Sequence, residues 1–222
     1  MSLISNNIKY SPHYTYQEYE ILKQNNFRYY QIQNHLVPSV TSILRLSRWN
    51  QRDAKSYRQE QSFEIGNLMH EYLFHYATGH VHPRVETKNQ IIAKKLSDSI
   101  INNFFPNVSC ILAAEAIVHD NFSYAGTFDL LAQVNNELTI VDYKSAFRKK
   151  GNYLIDEYFQ QIAAYAEAHD KMHGTNINQF MIVMVYKDNF DCEILIANNS
   201  ESIKYRKMWK DKLNYYKEVS VE

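Results

Sequence analysis

"TIVDYKSAF", residues 139–147, begins as a buried strand and then breaks its own pattern. Leu138, Ile140 and Val141 are apolar, and Asp142 and Lys144 follow with one tyrosine between them. Successive strand side chains alternate faces, so Asp142 and Lys144 share a face and Tyr143 takes the other. By itself an Asp-x-Lys at a strand end reads as a solvated ion pair, worth roughly 0–1 kcal/mol. The other reading is that the strand delivers both charges to a site at the edge of the core. Its neighbours in the chain decide between the two.

Upstream, "CILAAEAIVHD" and "SYAGTFDLLAQV" are apolar, partly alternating runs, and "VNNEL" before the opening stretch is a hairpin signal. Three consecutive antiparallel strands are predicted. "DEYFQQIAAYAEAHDKMH" follows as a helix ended by Gly174, then "QFMIVMVYK" and "FDCEILIA" as two strands, then a closing amphipathic helix from Ser200 to Tyr216. In the N-terminal part "FRYYQI" reads as an early strand and "QNHLVP" as the turn after it. Ser39 is placed as N-cap of a short helix, "VTSILRL". Phe63, Ile65, Leu68, Met69, Tyr72, Leu73 and Tyr76 recur at helical steps and predict a helix from about Asp53 to Ala77. "TKNQIIAKKLSDSIINNFF" predicts another, closed by Pro106. The order implies a single α/β (α+β) domain over residues 1–222. Residues 1–106 form a mainly helical part, 107–200 the sheet with its helix, and 201–222 a C-terminal helix.

Composition narrows the function classes. Lys+Arg and Asp+Glu stand at 24 each, so bulk electrostatic adhesion to nucleic acid or membrane is excluded, and a nucleic-acid enzyme would need a local groove or a metal. Two cysteines, Cys110 and Cys192, cannot build a four-cysteine zinc or iron–sulfur site. They point to a reducing cytosol. The opening "MSLISNNIKYS" has no signal-peptide core, and no stretch approaches a transmembrane span.

If the three strands are neighbours, Glu115, Asp129, Asp142 and Lys144 can meet on one sheet. Two carboxylates about 4 Å apart repel by roughly 4 kcal/mol at an effective dielectric of 20. A divalent cation reverses that sign. Oxygen ligands suit Mg²⁺ or Mn²⁺. Gln161 and Tyr165 share a face of the following helix. Gly66 and His70 are likewise one turn apart, and a helical glycine invites a close approach. Taken in order, Gly66-x-x-x-His70, Glu115, Gly126-Thr127-Phe128-Asp129, Asp142-Tyr143-Lys144 and Gln161-x-x-x-Tyr165 resemble the RecB-like exonuclease branch of the PD-(D/E)xK nuclease superfamily, the mitochondrial genome maintenance exonuclease group in particular. "PSVTSIL", residues 38–44, matches that group's opening segment, and the resemblance spans about residues 36–197.

The resemblance implies a restriction-endonuclease-like core, a mixed central sheet flanked by helices. It implies a Mg²⁺- or Mn²⁺-dependent exonuclease acting on DNA single strands or ends, in the cytoplasm of a bacterium or a phage-infected cell, without an iron–sulfur cluster. His70, Asp129, Asp142 and the Tyr143 carbonyl would hold the metal. Lys144 would position or activate the attacking water, and Gln161 and Tyr165 would hold the active-site helix against the scissile phosphate. Glu115 assists a second metal or orients Lys144. Thr41 and Ser42 contact a phosphate or shape the helix start, and the basic run Arg148, Lys149, Lys150 grips the backbone or is a solvated loop. The alternatives are a catalytically silent nuclease-like binding module and a restriction-type endonuclease.

Overall fold

The computed structural model describes residues 8–25, 27–46, 57–149 and 151–220. Residues 53–56, where the second helix was expected to start, and Lys150 lie outside the described residues.

The opening stretch belongs to strand β7 (Glu137–Ala146), near the middle of a six-stranded sheet ordered β1-β5-β6-β7-β8-β9. The partners are β1 (Lys9–Tyr10), β5 (Val108–His119), β6 (Ala125–Val134), β8 (Gln179–Tyr186) and β9 (Cys192–Asn198). β5, β6 and β7 pair antiparallel as expected. Asn135 and Asn136 close the β6–β7 hairpin with φ of 51° and 68°, the doubly left-handed backbone that a two-residue turn of this kind requires. β7 and β8 are parallel, so the connection between them must cross over, and it does so through α4 (Asn152–His173).

Helices cover both faces. α4 packs with α1 (Val40–Arg45) and α5 (Ser200–Val219) over one layer of core, which contains Ile140, Phe128, Ile162, Tyr165 and Trp209. α2 (Tyr57–Thr78) and α3 (Lys88–Asn103) cover the other, with Met69, Leu73, Leu96, Val141 and Tyr143 inside. Burying each such side chain contributes roughly 1.5–3 kcal/mol. Along β7, Leu138, Ile140 and Ala146 belong to the α4 layer and Val141 and Tyr143 to the α2 layer. Alternation therefore turns Asp142 and Lys144 toward the α4 side.

The N-terminal part holds more strand than its sequence suggests. β2 (Glu20–Gln24), β3 (Phe27–Ile32) and β4 (His35–Pro38) form a separate antiparallel sheet. "QNHLVP" is thus only in part a turn: Gln33 and Asn34 make the reversal, and His35 to Pro38 return as β4. Val37 is fully buried beside Tyr30, which is what draws this polar segment into a strand. Ser39 caps α1 as expected, its side chain accepting from the Ser42 N–H at 3.1 Å.

Candidate active site

The β6–β7 ladder runs only from Val134↔Glu137 to Leu130↔Val141. Beyond that pair the strands part, and Asp129 and Asp142 stand at the fork. In β6, Phe128 packs under α4 while Leu130, of the same parity, packs under α2, so the strand slips phase at Asp129. The Asp129 carboxylate stands in for the lost ladder bond: its Oδ2 accepts from the Tyr143 N–H at 2.6 Å. On the other side of β6, Ala114 and Ala116 pair with Leu130 and Phe128, and Glu115 between them has a φ of 48°. A non-glycine residue in this left-handed region costs of order 1–3 kcal/mol, and such strain collects at functional sites.

The freed side chains converge. His70, on α2, places Nδ1 3.2 Å from Asp129 Oδ1 and 3.6 Å from Glu115 Oε1. One ligand atom from each of the three lies within 4.8 Å of the others. Asp142, buried at 2% exposure, is held in an ion pair by Lys144, whose ammonium also sits 5.0 Å from the centre of the Tyr158 ring. On the α4 side, the Gln161 amide donates to the Tyr165 hydroxyl at 2.7 Å. All of these except Tyr143 and Tyr158 line one open cleft of about 490 Å³. Tyr143 reaches the cluster through its backbone N–H, and its ring lies under α2 and α3.

The protonation states follow from crowding. Burial works against a charged His70, but Asp129 and Glu115 outweigh it and raise the imidazole to about 10. Burial likewise opposes ionisation of Asp129, yet His70, Lys144 and the Tyr143 N–H together hold its carboxyl low. Burial raises Glu115 against the pull of His70. It raises Asp142 to about 6, with Lys144 opposing. The imidazolium, helped by the Lys144 ammonium, is what allows two carboxylates to share this space. An imidazole and two carboxylates form a donor set suited to a divalent ion, which would take over that role.

Glu115 is more central than its sequence suggested, lying in the tight cluster that Asp142 borders. Arg28, Asn67, Glu71 and Phe74 also line the cleft and carried no sequence signal, and Thr127 of the Gly126–Asp129 motif lines it with them. Thr41 joins them there, whereas Ser42 is buried and accepts from the Arg28 N–H at 2.8 Å, a structural role. The Lys149 ammonium pairs with Glu193 at 2.7 Å, and Arg148 and Lys149 line a separate cleft with Asp188 and Asp191. Arg148 and Lys149 thus stand beside carboxylates of β9 and the turn before it, and among the described residues the basic side chains lining the site cleft are Arg28, Lys144 and His70. Among the described residues Gly66 needs no close approach: a Cβ there would meet Ser145 Oγ at 3.8 Å, an ordinary contact.

The chain is similar in sequence to known proteins. The chain is 24% identical over 208 residues to "Mitochondrial genome maintenance exonuclease 1" of Homo sapiens, a match covering 84% of this chain and 60% of the relative. The fold is a mixed α/β one, a six-stranded mixed sheet with helices on both faces. The Xenopus tropicalis protein of the same name is 28% identical over 111 residues, covering 48% of this chain and 32% of the relative. The chain thus spans under two thirds of the length of the relatives it matches. A crystal structure of an Eubacterium rectale protein, 16% identical, overlays 76% of this chain and 68% of that one with a TM-score of 0.49. No family model matches the chain. No described helix is long and apolar enough to cross a membrane.

Proposed function

We propose that the protein is a Mg²⁺- or Mn²⁺-dependent nuclease that hydrolyses phosphodiester bonds of DNA, working from ends or on single strands. One observation carries this reading: His70, Glu115, Asp129, Asp142 and Lys144 come from four separate elements and meet in one cleft at the sheet fork. A binding module has no use for three carboxylates, one of them buried, collected at the cost of a left-handed glutamate. The exonuclease names of the relatives support the same reading.

His70, Glu115 and Asp129 would hold the ion, with Asp142 and the Tyr143 carbonyl as the further oxygen donors that the resemblance assigns. A bound divalent ion supplies Lewis-acid polarisation of the phosphate and a more acidic water. The chain's own groups do the rest. Lys144 presents an ammonium to the cleft and offsets the negative charge that builds on the phosphate. Gln161 and Tyr165 fix the α4 wall against which the substrate lies. Arg28 and Thr41, from β3 and α1, line the same cleft, and a guanidinium there is placed to pair with a backbone phosphate. The sparse, unpaired cysteines support a reducing, cytosolic setting.

The test is incubation of end-labelled linear DNA and of closed circular single strands with each ion in turn. Shortening of the linear strands with either ion, and none without, is the expected result. Cleavage of closed circles would refute the requirement for ends. No cleavage of any substrate would refute the enzyme.

A further inference from the structure

Tyr165 is 1% exposed, and its ring lies directly against the backbone of Gly126 at the start of β6. A Cβ built on Gly126 would stand 2.3 Å from Tyr165 Cε1, 3.1 Å from Cδ1 and 3.2 Å from Cζ. The backbone of Gly126 is not left-handed, unlike Gly79 and Gly174, so glycine is required here for space rather than for conformation.

Neither partner is free to yield. β6 is held at this point from both sides: Gly126 pairs with Val118, and its neighbour Ala125 pairs with His119 on β5 and bridges to Ser39. Thr127 Oγ1 lies 3.0 Å from the Tyr30 hydroxyl of the small sheet. The Tyr165 ring is enclosed in the α4 layer, and its hydroxyl accepts from Gln161. We propose that Gly126 is a positioning residue: its bare Cα seats the Tyr165 ring so that the Tyr165 hydroxyl and the Gln161 amide stand at the cleft beside Asp142 and Lys144. The small N-terminal sheet, by clamping residues 125–127, is part of the same support. This inference rests on the nuclease reading for its catalytic consequence, but not for the contact itself.

Restoring an ordinary contact of about 3.4 Å would move the ring by about 1 Å, a displacement that can cost roughly a hundredfold in rate. Gly126→Ala is therefore expected to lower kcat by about that factor with little change in KM. Mn²⁺ affinity, read by calorimetry, stays unchanged, because His70, Glu115 and Asp129 are untouched. In a Tyr165→Leu background the ring is gone, and Gly126→Ala then lowers neither Tm nor residual cleavage further. Wild-type kcat in Gly126→Ala, loss of Mn²⁺ binding in step with activity, or an equal Tm loss in both backgrounds would each overturn the proposal. If the wild-type protein cleaves nothing, the nuclease reading fails by itself. The two Tm differences still decide whether Tyr165 is what forbids a side chain at residue 126.

Discussion

Acidification should destabilise the protein through one buried histidine on α4, the helix that carries Gln161 and Tyr165. His169 is fully buried, its Nε2 2.7 Å from the Tyr16 hydroxyl and its Nδ1 2.8 Å from Thr175 Oγ1. Thr175 donates its own proton to Asp170 Oδ1 at 2.7 Å, so its oxygen accepts from the ring. Nδ1 then carries the proton, and Nε2 accepts from Tyr16. This neutral ring satisfies both partners, and a second proton on Nε2 would turn the Tyr16 hydroxyl from donor to acceptor and place a charge in a buried site. Burial, and secondarily His173, lower the His169 pKa to about 3. Because the folded value lies below the ordinary 6.5, the unfolded chain takes up the proton first. The stabilisation is whole above 6.5 and is lost as pH falls toward 3. Between about pH 7.5 and about pH 5 the loss amounts to roughly 2 kcal/mol. Tyr14, Tyr16, His173, Asp170 and Arg206 surround the ring or its partners, and His70 has a pH slope of opposite sign, so the wild-type curve alone is not diagnostic. The assay is urea unfolding of wild type and His169→Gln at both pH values. The wild type is expected to be the more stable at the higher pH, and the gap should narrow by about 2 kcal/mol at the lower one. A gap that stays constant would refute the neutral, buried assignment.

Other outcomes follow from the cleft. Lys144→Ala should abolish cleavage while leaving Mn²⁺ affinity close to wild type. It should also lower Tm by leaving Asp142 unpaired, and adding Asp142→Asn should recover that Tm loss, read by calorimetry. Glu115→Gln should weaken Mn²⁺ binding about as much as Asp129→Asn does, which titration calorimetry checks; an unchanged affinity would remove Glu115 from the ligand set. Arg28→Ala should raise KM for DNA more than it lowers kcat. It should also reduce the slope of log affinity against log salt by about one.

How much of this was legible depended on what burial imposes on a strand. The alternation in "TIVDYKSAF" is forced by a core on both faces, so the shared face of Asp142 and Lys144 could be read directly. The hairpin at Asn135-Asn136 was likewise legible because few residues tolerate its backbone. The fork was not, because it is an absence of pairing beyond Leu130 and Val141, and no residue type marks where a ladder stops. Glu115 is inconspicuous in the sequence for a related reason: glutamate has no preference for the left-handed backbone it adopts, so nothing announces that it turns toward His70. Arg28 is not legible because it arrives on a short strand whose pairing partners lie outside the main sheet. Gly66 and Gly126 show the limit from the other side. Both stood in the motif, but only the second is pressed by a ring from a distant helix, a contact that spacing along the chain does not encode.

Whether the fork is a metal centre is read most directly from an anomalous difference map of crystals soaked in Mn²⁺. A peak is expected within ligand distance of His70, Glu115 and Asp129, at the mouth of the cleft that Lys144 and Asp142 share. A map with no peak there, or with Mn²⁺ bound only at other carboxylates, would contradict a metal centre at the fork.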